Sequence, residues 1–284
     1  MGHFAYDSNP MRDLTALAQA LIPLVEQAGA AILQIYEGEF AVAHKDDASP
    51  LTLADLESQR IIAAGLTKLT PDIPILSEES AQAPWSERRA WNELWVVDPL
   101  DGTREFVKRN GEFTINIALV VAHEPVLGIV AAPYLKKLYW GAVGVGAYRQ
   151  TSTGQTSPAA NASELKTYES IKVSAVQDPL RVVGSRSHAS AETAAYLQTL
   201  KKHVLQGVGS SLKFCLIAEG EADLYPRFGP TSEWDTAAGQ AILEAAGGQV
   251  TRVDGHRLRY NCRTSLINGD FLAFNEPPAL NEPL

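Results

Sequence analysis

The feature that most limits the folds open to this chain is residues 93–103, Glu-Leu-Trp-Val-Val-Asp-Pro-Leu-Asp-Gly-Thr. Leu94, Trp95, Val96 and Val97 form a wholly apolar run, the mark of a strand buried between other layers. That run then delivers two carboxylates, Asp98 and Asp101, around a proline that biases Asp98 toward extended backbone. Gly102 and Thr103 follow. Two readings are open: an ordinary surface turn, or a cluster of hard oxygen ligands beside a phosphate-binding turn. A second Asp-Gly pair, Asp254–Gly255, supplies the contrast. Alternating residues flank it, no second acid accompanies it, and it reads as a hairpin turn.

Other acids stand at comparable places. Glu78 and Glu79 close the short apolar strand Pro-Ile-Leu-Ser, where a solvated strand end is the plain alternative. Asp235 opens the helical stretch 235–248, and an acid there also complements the helix macrodipole. Asp55, three residues after Thr52, fits a capping box, and Asp47 fits a loop acid bonded to its own backbone. Glu78, Asp98, Asp101 and Asp235 share one property: each sits at a strand end or helix start with no basic residue next to it in sequence. Gathered in space, they repel one another unless cations join them. Magnesium suits such a set, because it prefers a few carboxylates plus substrate phosphate. Gly102 allows close backbone approach, and successive N–H groups at a turn form an anion-binding concavity. Zinc chemistry is excluded on spacing, since the six histidines show no H-E-x-x-H pattern and Cys215 and Cys262 stand alone. Two solitary cysteines also fit a reducing, cytoplasmic setting.

The formal net charge of −9 argues against a general nucleic-acid binder, whose affinity comes from a basic face. No leader and no apolar segment of about 18 residues is read, so no membrane-spanning helix is expected, although peripheral attachment to the inner membrane stays open. Oligomeric state is not legible. At 284 residues the chain accommodates one large layered domain or two joined halves. A helical stripe over 11–37 predicts a kink or break at Pro23, and a second helix runs from Thr52 to about Thr70. Residues 112–149 alternate as an antiparallel sheet does. The Ser/Thr/Gly/Pro-rich stretch 151–164 marks a joint. Strands and helices then alternate to the end, predicting an α/β fold with helices layered on sheets. The expected division is 11–150, a joining segment 151–180, and 181–275. The glycines at 141–146 lack G-x-G-x-x-G spacing and read as a tight strand connection, not a dinucleotide loop.

With these residues assembled, the chain resembles the magnesium-dependent, lithium-sensitive phosphatases of the inositol monophosphatase superfamily. The shared stretches are S-E-E-S at 77, D-P-L-D-G-T at 98 and W-D-T-A-A-G at 234. The nearer likeness is to the 3'(2'),5'-bisphosphate nucleotidase branch. It rests on D-x-S-P-L-T-x-A-D at 47, K-R-N-G-E-F-T-I-N-I-A-L at 108, S-R-S-H at 185, G-S-S-L-K-F-C at 209 and Y-P-R-F-G-P-T-S-E-W-D at 225, and spans residues 11–275. The resemblance implies an αβαβα sandwich and two or more magnesium ions. One would be held by Glu78, Asp98 and the Leu100 carbonyl, the other by Asp98, Asp101 and Asp235. It further implies a phosphate seat at Asp101, Gly102 and Thr103, and a catalytic set of Glu78 together with Asp47 and Thr103, the last two positioning the attacking water. Nucleotide contacts would come from Ser185, His188, Gly209, Lys213 and Asp235, with Arg227 a further cation for a second phosphate. The implied reaction is hydrolysis of the 3'-phosphate of 3'-phosphoadenosine 5'-phosphate to AMP, with the phosphosulfate analogue as a second substrate, in sulfur assimilation. Inositol monophosphatase or fructose bisphosphatase activity is the alternative. From another class, a silent nucleotide-binding protein would be expected to have lost a metal ligand.

Overall fold

A computed structural model describes residues 12–44, 50–151, 167–186, 190–200 and 202–278. Helix α1 (Leu14–Glu37) starts at Asp13, whose carboxylate accepts from the Thr15 and Ala16 backbone N–H groups. No break occurs at Pro23. That proline and Gln19, whose carbonyl loses its helical donor, both lie on the exposed face, where water can supply the missing partner. Contrary to expectation, α1 is long and apolar enough to cross a membrane, with a window of mean hydropathy 1.5. Its stripe of Leu21, Val25, Ala28 and Ile32 is instead spent inside the protein, in one core with residues of the neighbouring helix and sheet.

A short ribbon of β1 (Ala43–His44) and β2 (Pro50–Leu51) leads into α2 (Leu53–Leu69), opened by the predicted capping box of Thr52 and Asp55. The first sheet comprises β3 (Ile75–Ser77), β4 (Glu93–Asp101), β5 (Thr114–Val121), β6 (Glu124–Ala132), β7 (Lys137–Ala142), β8 (Gly146–Thr151) and β9 (Thr167–Ile171), side by side in that order. β3 pairs parallel with β4 and the other neighbours are antiparallel. Single-turn helix α3 (Trp85–Arg88) and short α4 (Thr103–Val107) flank β4. The predicted antiparallel region over 112–149 is therefore present, while most of the expected joint at 151–164 lies outside the described residues.

The second sheet has the order β11-β10-β12-β14-β13, from β10 (Leu180–Ser185), β11 (His203–Val208), β12 (Leu224–Arg227), β13 (Gln249–Arg252) and β14 (Phe271–Phe274). Helix α5 (Ala191–Thr199) covers its outer face through Tyr196 and Leu197. Helices α6 (Leu212–Ala218) and α7 (Ala237–Ala245) lie between the sheets and share one core with both. The layers thus run α1/α2, sheet, α6/α7, sheet, α5, the expected αβαβα sandwich. α7 approaches the first sheet closely only because Gly128 and Gly141 stand beneath it. A Cβ at Gly128 would lie 2.2 Å from the Ala238 carbonyl oxygen, and one at Gly141 2.8 Å from the Ile242 Cα. The expected hairpin at Asp254–Gly255 is only partly formed. The turn exists, but beyond it Thr251 and Arg257 make a single bridge, and β13 takes β14 as its ladder partner instead.

Candidate active site

Residues three apart on a regular strand face opposite ways, so Asp98 and Asp101 should diverge. An irregularity in the β4–β5 ladder prevents this. Asp98 pairs with Asn116 and Asp101 with Thr114, so three steps on β4 match two on β5 and both acids meet residues of one face. The chain then turns at Gly102, whose φ of 87° and near neighbours, the Glu112 carbonyl at 3.2 Å and Ser210 Cβ at 3.4 Å from a built Cβ, disfavour any side chain. Thr103 opens α4 directly after it.

Asp235 arrives from the other sheet, on a 3-10 turn (Glu233–Asp235) that joins β12 to α7. Ligand oxygens of Asp98, Asp101 and Asp235 lie within 4.8 Å of one another. Each carboxylate is already steered by a hydrogen bond: Leu100 N–H donates to Asp98 Oδ1 at 3.0 Å, Ser211 Oγ lies 2.9 Å from Asp101 Oδ2, and Ser232 N–H donates to Asp235 Oδ2 at 2.8 Å. The remaining acceptor capacity is what a cation needs. Burial pushes all three carboxyls above the ordinary range. For Asp98 the charges of Glu78, Asp101 and Asp235 add to this, and for Asp235 that of Asp101 does. Acids this crowded are at odds with neutral pH by themselves, and a hard divalent cation resolves the conflict. The residues present therefore fit magnesium.

Glu78, Leu100, Gly102 and Thr103 line the same cavity of about 300 Å³, as do Ser185, Gly209 and Lys213. Every sequence-predicted site residue that is described is thus in one place. Asp47 and His188 lie outside the described residues. Among the described residues, the carboxylate that meets Thr103 is Asp55, which accepts from Thr103 Oγ1 at 3.1 Å through Oδ1 while its Oδ2 accepts from Thr52 N–H and Oγ1. The capping role of Asp55 is real, and it leaves one oxygen for the site. The T-x-x-D spacing alone concealed that second duty.

Lys213 is buried on α6, its ammonium donating to the Val208 and Ser210 carbonyls 5.1 Å from the Tyr225 ring. Burial pulls its pKa down to about 8, with Asp101 opposing. Arg227, at the end of β12, is 9% exposed and donates through Nη2 to the Pro230 carbonyl, while its Nε has no hydrogen-bond partner among the described residues. Gly209 is fixed by its own N–H, which donates to Glu112 Oε2 at 2.8 Å, and Glu112 is in turn clasped by Arg186. Sequence reading passed over Asn116, Ser211 and Glu112. For Asn116 a signal existed, an amide at the second position of the otherwise apolar run 115–121.

The family model for the inositol monophosphatase family matches residues 13–281, and the chain belongs to that family. Within it, the chain is 48% identical over 257 residues to the 3'(2'),5'-bisphosphate nucleotidase CysQ of Salmonella typhimurium, covering 90% of this chain and 98% of that protein. Against CysQ of Escherichia coli K12 the identity is 47% over 250 residues, covering 87% and 95%. The crystal structure of CysQ from Bacteroides thetaiotaomicron superposes with a TM-score of 0.78 at 40% identity, covering 92% of this chain and 98% of that one. An inositol monophosphatase from Anabaena gives 0.71 at 26% identity, covering 93% and 92%.

Proposed function

We propose that this chain is a magnesium-dependent 3'(2'),5'-bisphosphate nucleotidase that removes the 3'-phosphate of 3'-phosphoadenosine 5'-phosphate, giving AMP and phosphate, and also acts on the phosphosulfate analogue. The observation that carries this reading is one cavity holding two opposite devices. The acids Asp98, Asp101 and Asp235 stand within 4.8 Å of one another, and the buried cations Lys213 and Arg227 line the same space. The acids suit a phosphoryl group handled through metal, and the two cations suit a second phosphate, which an inositol monophosphate does not carry. The identity to CysQ proteins over most of the chain supports the same substrate.

Glu78, Asp98, the Leu100 carbonyl, Asp101 and Asp235 would hold two or more magnesium ions. When bound, these polarise the phosphoryl group and make a water more acidic. The Asp101–Gly102–Thr103 turn seats the phosphate, with Gly102 giving its backbone close approach. Thr103 Oγ1 has two acceptors in reach, Asp55 Oδ1 at 3.1 Å and the Leu100 carbonyl at 3.3 Å; with its proton on Asp55, its oxygen lone pairs stay available to accept from a water, and Asp55 can receive the relayed proton. General-base work needs no more than that hydrogen-bond reach. The role first assigned to Asp47 passes to Asp55 on this reading. Ser185, His188 and Gly209 would flank the nucleoside. The free thiols of Cys215 and Cys262 suit work in a reducing cytoplasm; the substrate, a by-product of sulfotransfer, ties the reaction to sulfur assimilation.

Parallel turnover of 3'-phosphoadenosine 5'-phosphate and inositol 1-phosphate tests the reading. We expect kcat/KM to favour the nucleotide by at least about 10²-fold, as a site that pairs buried cations with a second phosphate discriminates strongly against a ligand lacking it. Preference for the inositol ester overturns it.

A further inference from the structure

Asp101 ends a strand of the first sheet and Asp235 ends the 3-10 turn that follows β12 of the second, and the two carboxylates repel, yet they are held side by side. The group that touches both is a hydroxyl. Ser211, at the start of α6 and 2% exposed, places Oγ 2.9 Å from Asp101 Oδ2 and 2.7 Å from the Asp235 carbonyl oxygen. Asn116, fully buried on β5, donates through Nδ2 to Ser211 Oγ at 2.9 Å and lies 3.4 Å from Asp101 Oδ2. Its amide is itself oriented, because Thr114 Oγ1 donates to Asn116 Oδ1 at 3.0 Å. A hydroxyl offers one proton and two lone pairs. With Asn116 occupying one lone pair, the Ser211 proton is directed to Asp101 or to the Asp235 carbonyl, the two acceptors that remain. One oxygen atom therefore joins β4, β5, α6 and the turn before α7 at the point where the acids converge.

We propose that Ser211, oriented by Asn116, is a positioning residue that sets the Asp101–Asp235 spacing and thereby the divalent-cation affinity of the site; this rests on the metal-dependent reading above. Partners hydrogen-bonded to ligating carboxylates typically carry 10–100-fold in metal affinity or activity. A serine that merely fills space would carry none, since alanine fills nearly the same volume.

The test uses the full chain and manganese as a spectroscopic probe, with binding measured by electron paramagnetic resonance in the absence of substrate and thermal unfolding followed in chelator. Ser211→Ala is expected to bind Mn²⁺ about 10–100-fold more weakly than wild type, with a metal-free melting temperature close to that of wild type. Its kcat/KM is expected to recover as magnesium is raised, with the substrate KM at saturating magnesium little changed. Asn116→Ser, which leaves Ser211 unoriented, should weaken Mn²⁺ in the same direction by less. Mn²⁺ affinity within twofold of wild type in folded Ser211→Ala overturns the positioning role. If that variant does not fold, the same outcome in Asn116→Ser overturns it. A wild-type chain that binds no Mn²⁺ sinks the metal-dependent reading first, and this inference with it.

Discussion

Asp101–Gly102 and Asp254–Gly255 are the same dipeptide in the same backbone conformation, with φ of 87° and 81° at the two glycines. Everything else about them is opposite. Nothing lies within 4 Å of a Cβ built at Gly255, whereas one at Gly102 meets the Glu112 carbonyl at 3.2 Å. The His256 backbone N–H, helped by Arg252, holds the Asp254 carboxyl below its ordinary range, while burial lifts that of Asp101 above it. The dipeptide specifies a turn, and its burial and neighbours decide whether that turn is a surface bend or part of a site. Asp223 sharpens the lesson. It is also buried, but Arg181 forks onto it at 2.7 and 3.1 Å and depresses its pKa. Among these acids, burial without a basic side chain hydrogen-bonded to the carboxylate, within the described residues, is what marks the place for a metal.

The largest expected effect breaks the comparison at its centre. Asp98→Asn removes the acid shared by both proposed ions, and kcat/KM should fall by at least about 10³-fold, or about 4 kcal/mol of transition-state stabilisation. Asp254→Asn should stay within about twofold. Circular dichroism should show both variants folded, and near-normal turnover of Asp98→Asn would refute the assignment. Next in size are the glycines. Alanine at either costs about 1 kcal/mol for a positive φ, but at Gly102 it must also displace the Glu112 carbonyl or Ser210. Gly102→Ala is expected to lose at least about tenfold in kcat/KM, about 1.4 kcal/mol, while Gly255→Ala loses only stability. Equal activity losses in the two would mean that crowding at Gly102 is irrelevant.

Much of this was legible before any coordinates, and unevenly so. The apolar run into Asp98, the capping box at Thr52 and the motifs around Gly209 and Asp235 are local patterns, and local patterns predict local structure. The β4 irregularity that turns Asp98 and Asp101 to one face was not legible, because it depends on the β5 register. That the helix continues through Pro23 without a break was not legible, because the cost of the proline depends on whether Gln19 faces water, a tertiary fact. Likewise α1 passes for a membrane helix until its partners are seen. Asn116 and Ser211 are far apart in sequence, and their link to the site emerges only when Asn116 Nδ2 and Ser211 Oγ are both found beside Asp101 Oδ2.

The contrast between unpaired and paired buried acids has a pH signature. An acid whose folded pKa is raised holds its proton more tightly folded than unfolded, so the metal-free protein loses stability as pH rises from the unfolded carboxylate value of about 4 through the elevated folded values of Asp98, Asp101 and Asp235. Magnesium binds only the ionised forms and should restore that loss. The gain in melting temperature on adding saturating magnesium is expected to be larger at pH 7.5 than at pH 5.5. A concentration 100 times the dissociation constant supplies about 2.7 kcal/mol, or roughly 5–10 °C for a chain of this size. Scanning fluorimetry at the two pH values reads the difference, and a larger gain at the lower pH would show that these carboxyls are not the ligands.

The smallest effect concerns the cation that faces the acids across the comparison. Lys213 carries its charge below about pH 8 and loses it above, because burial opposes the ammonium more strongly than Asp101 favours it. A lysine that serves a second phosphate must be charged to do so. KM for 3'-phosphoadenosine 5'-phosphate should therefore be flat up to about pH 7.5 and rise above pH 8, approaching tenfold per pH unit once the neutral form dominates. Replacing Lys213 with arginine keeps the charge at every accessible pH and should flatten the profile even if it raises KM throughout. A substrate with a single phosphate should show no such rise in the wild-type protein. If KM for both substrates climbs together above pH 8, the titrating group acts on the shared phosphate, and Lys213 belongs with the acid cluster and not with a second phosphate seat.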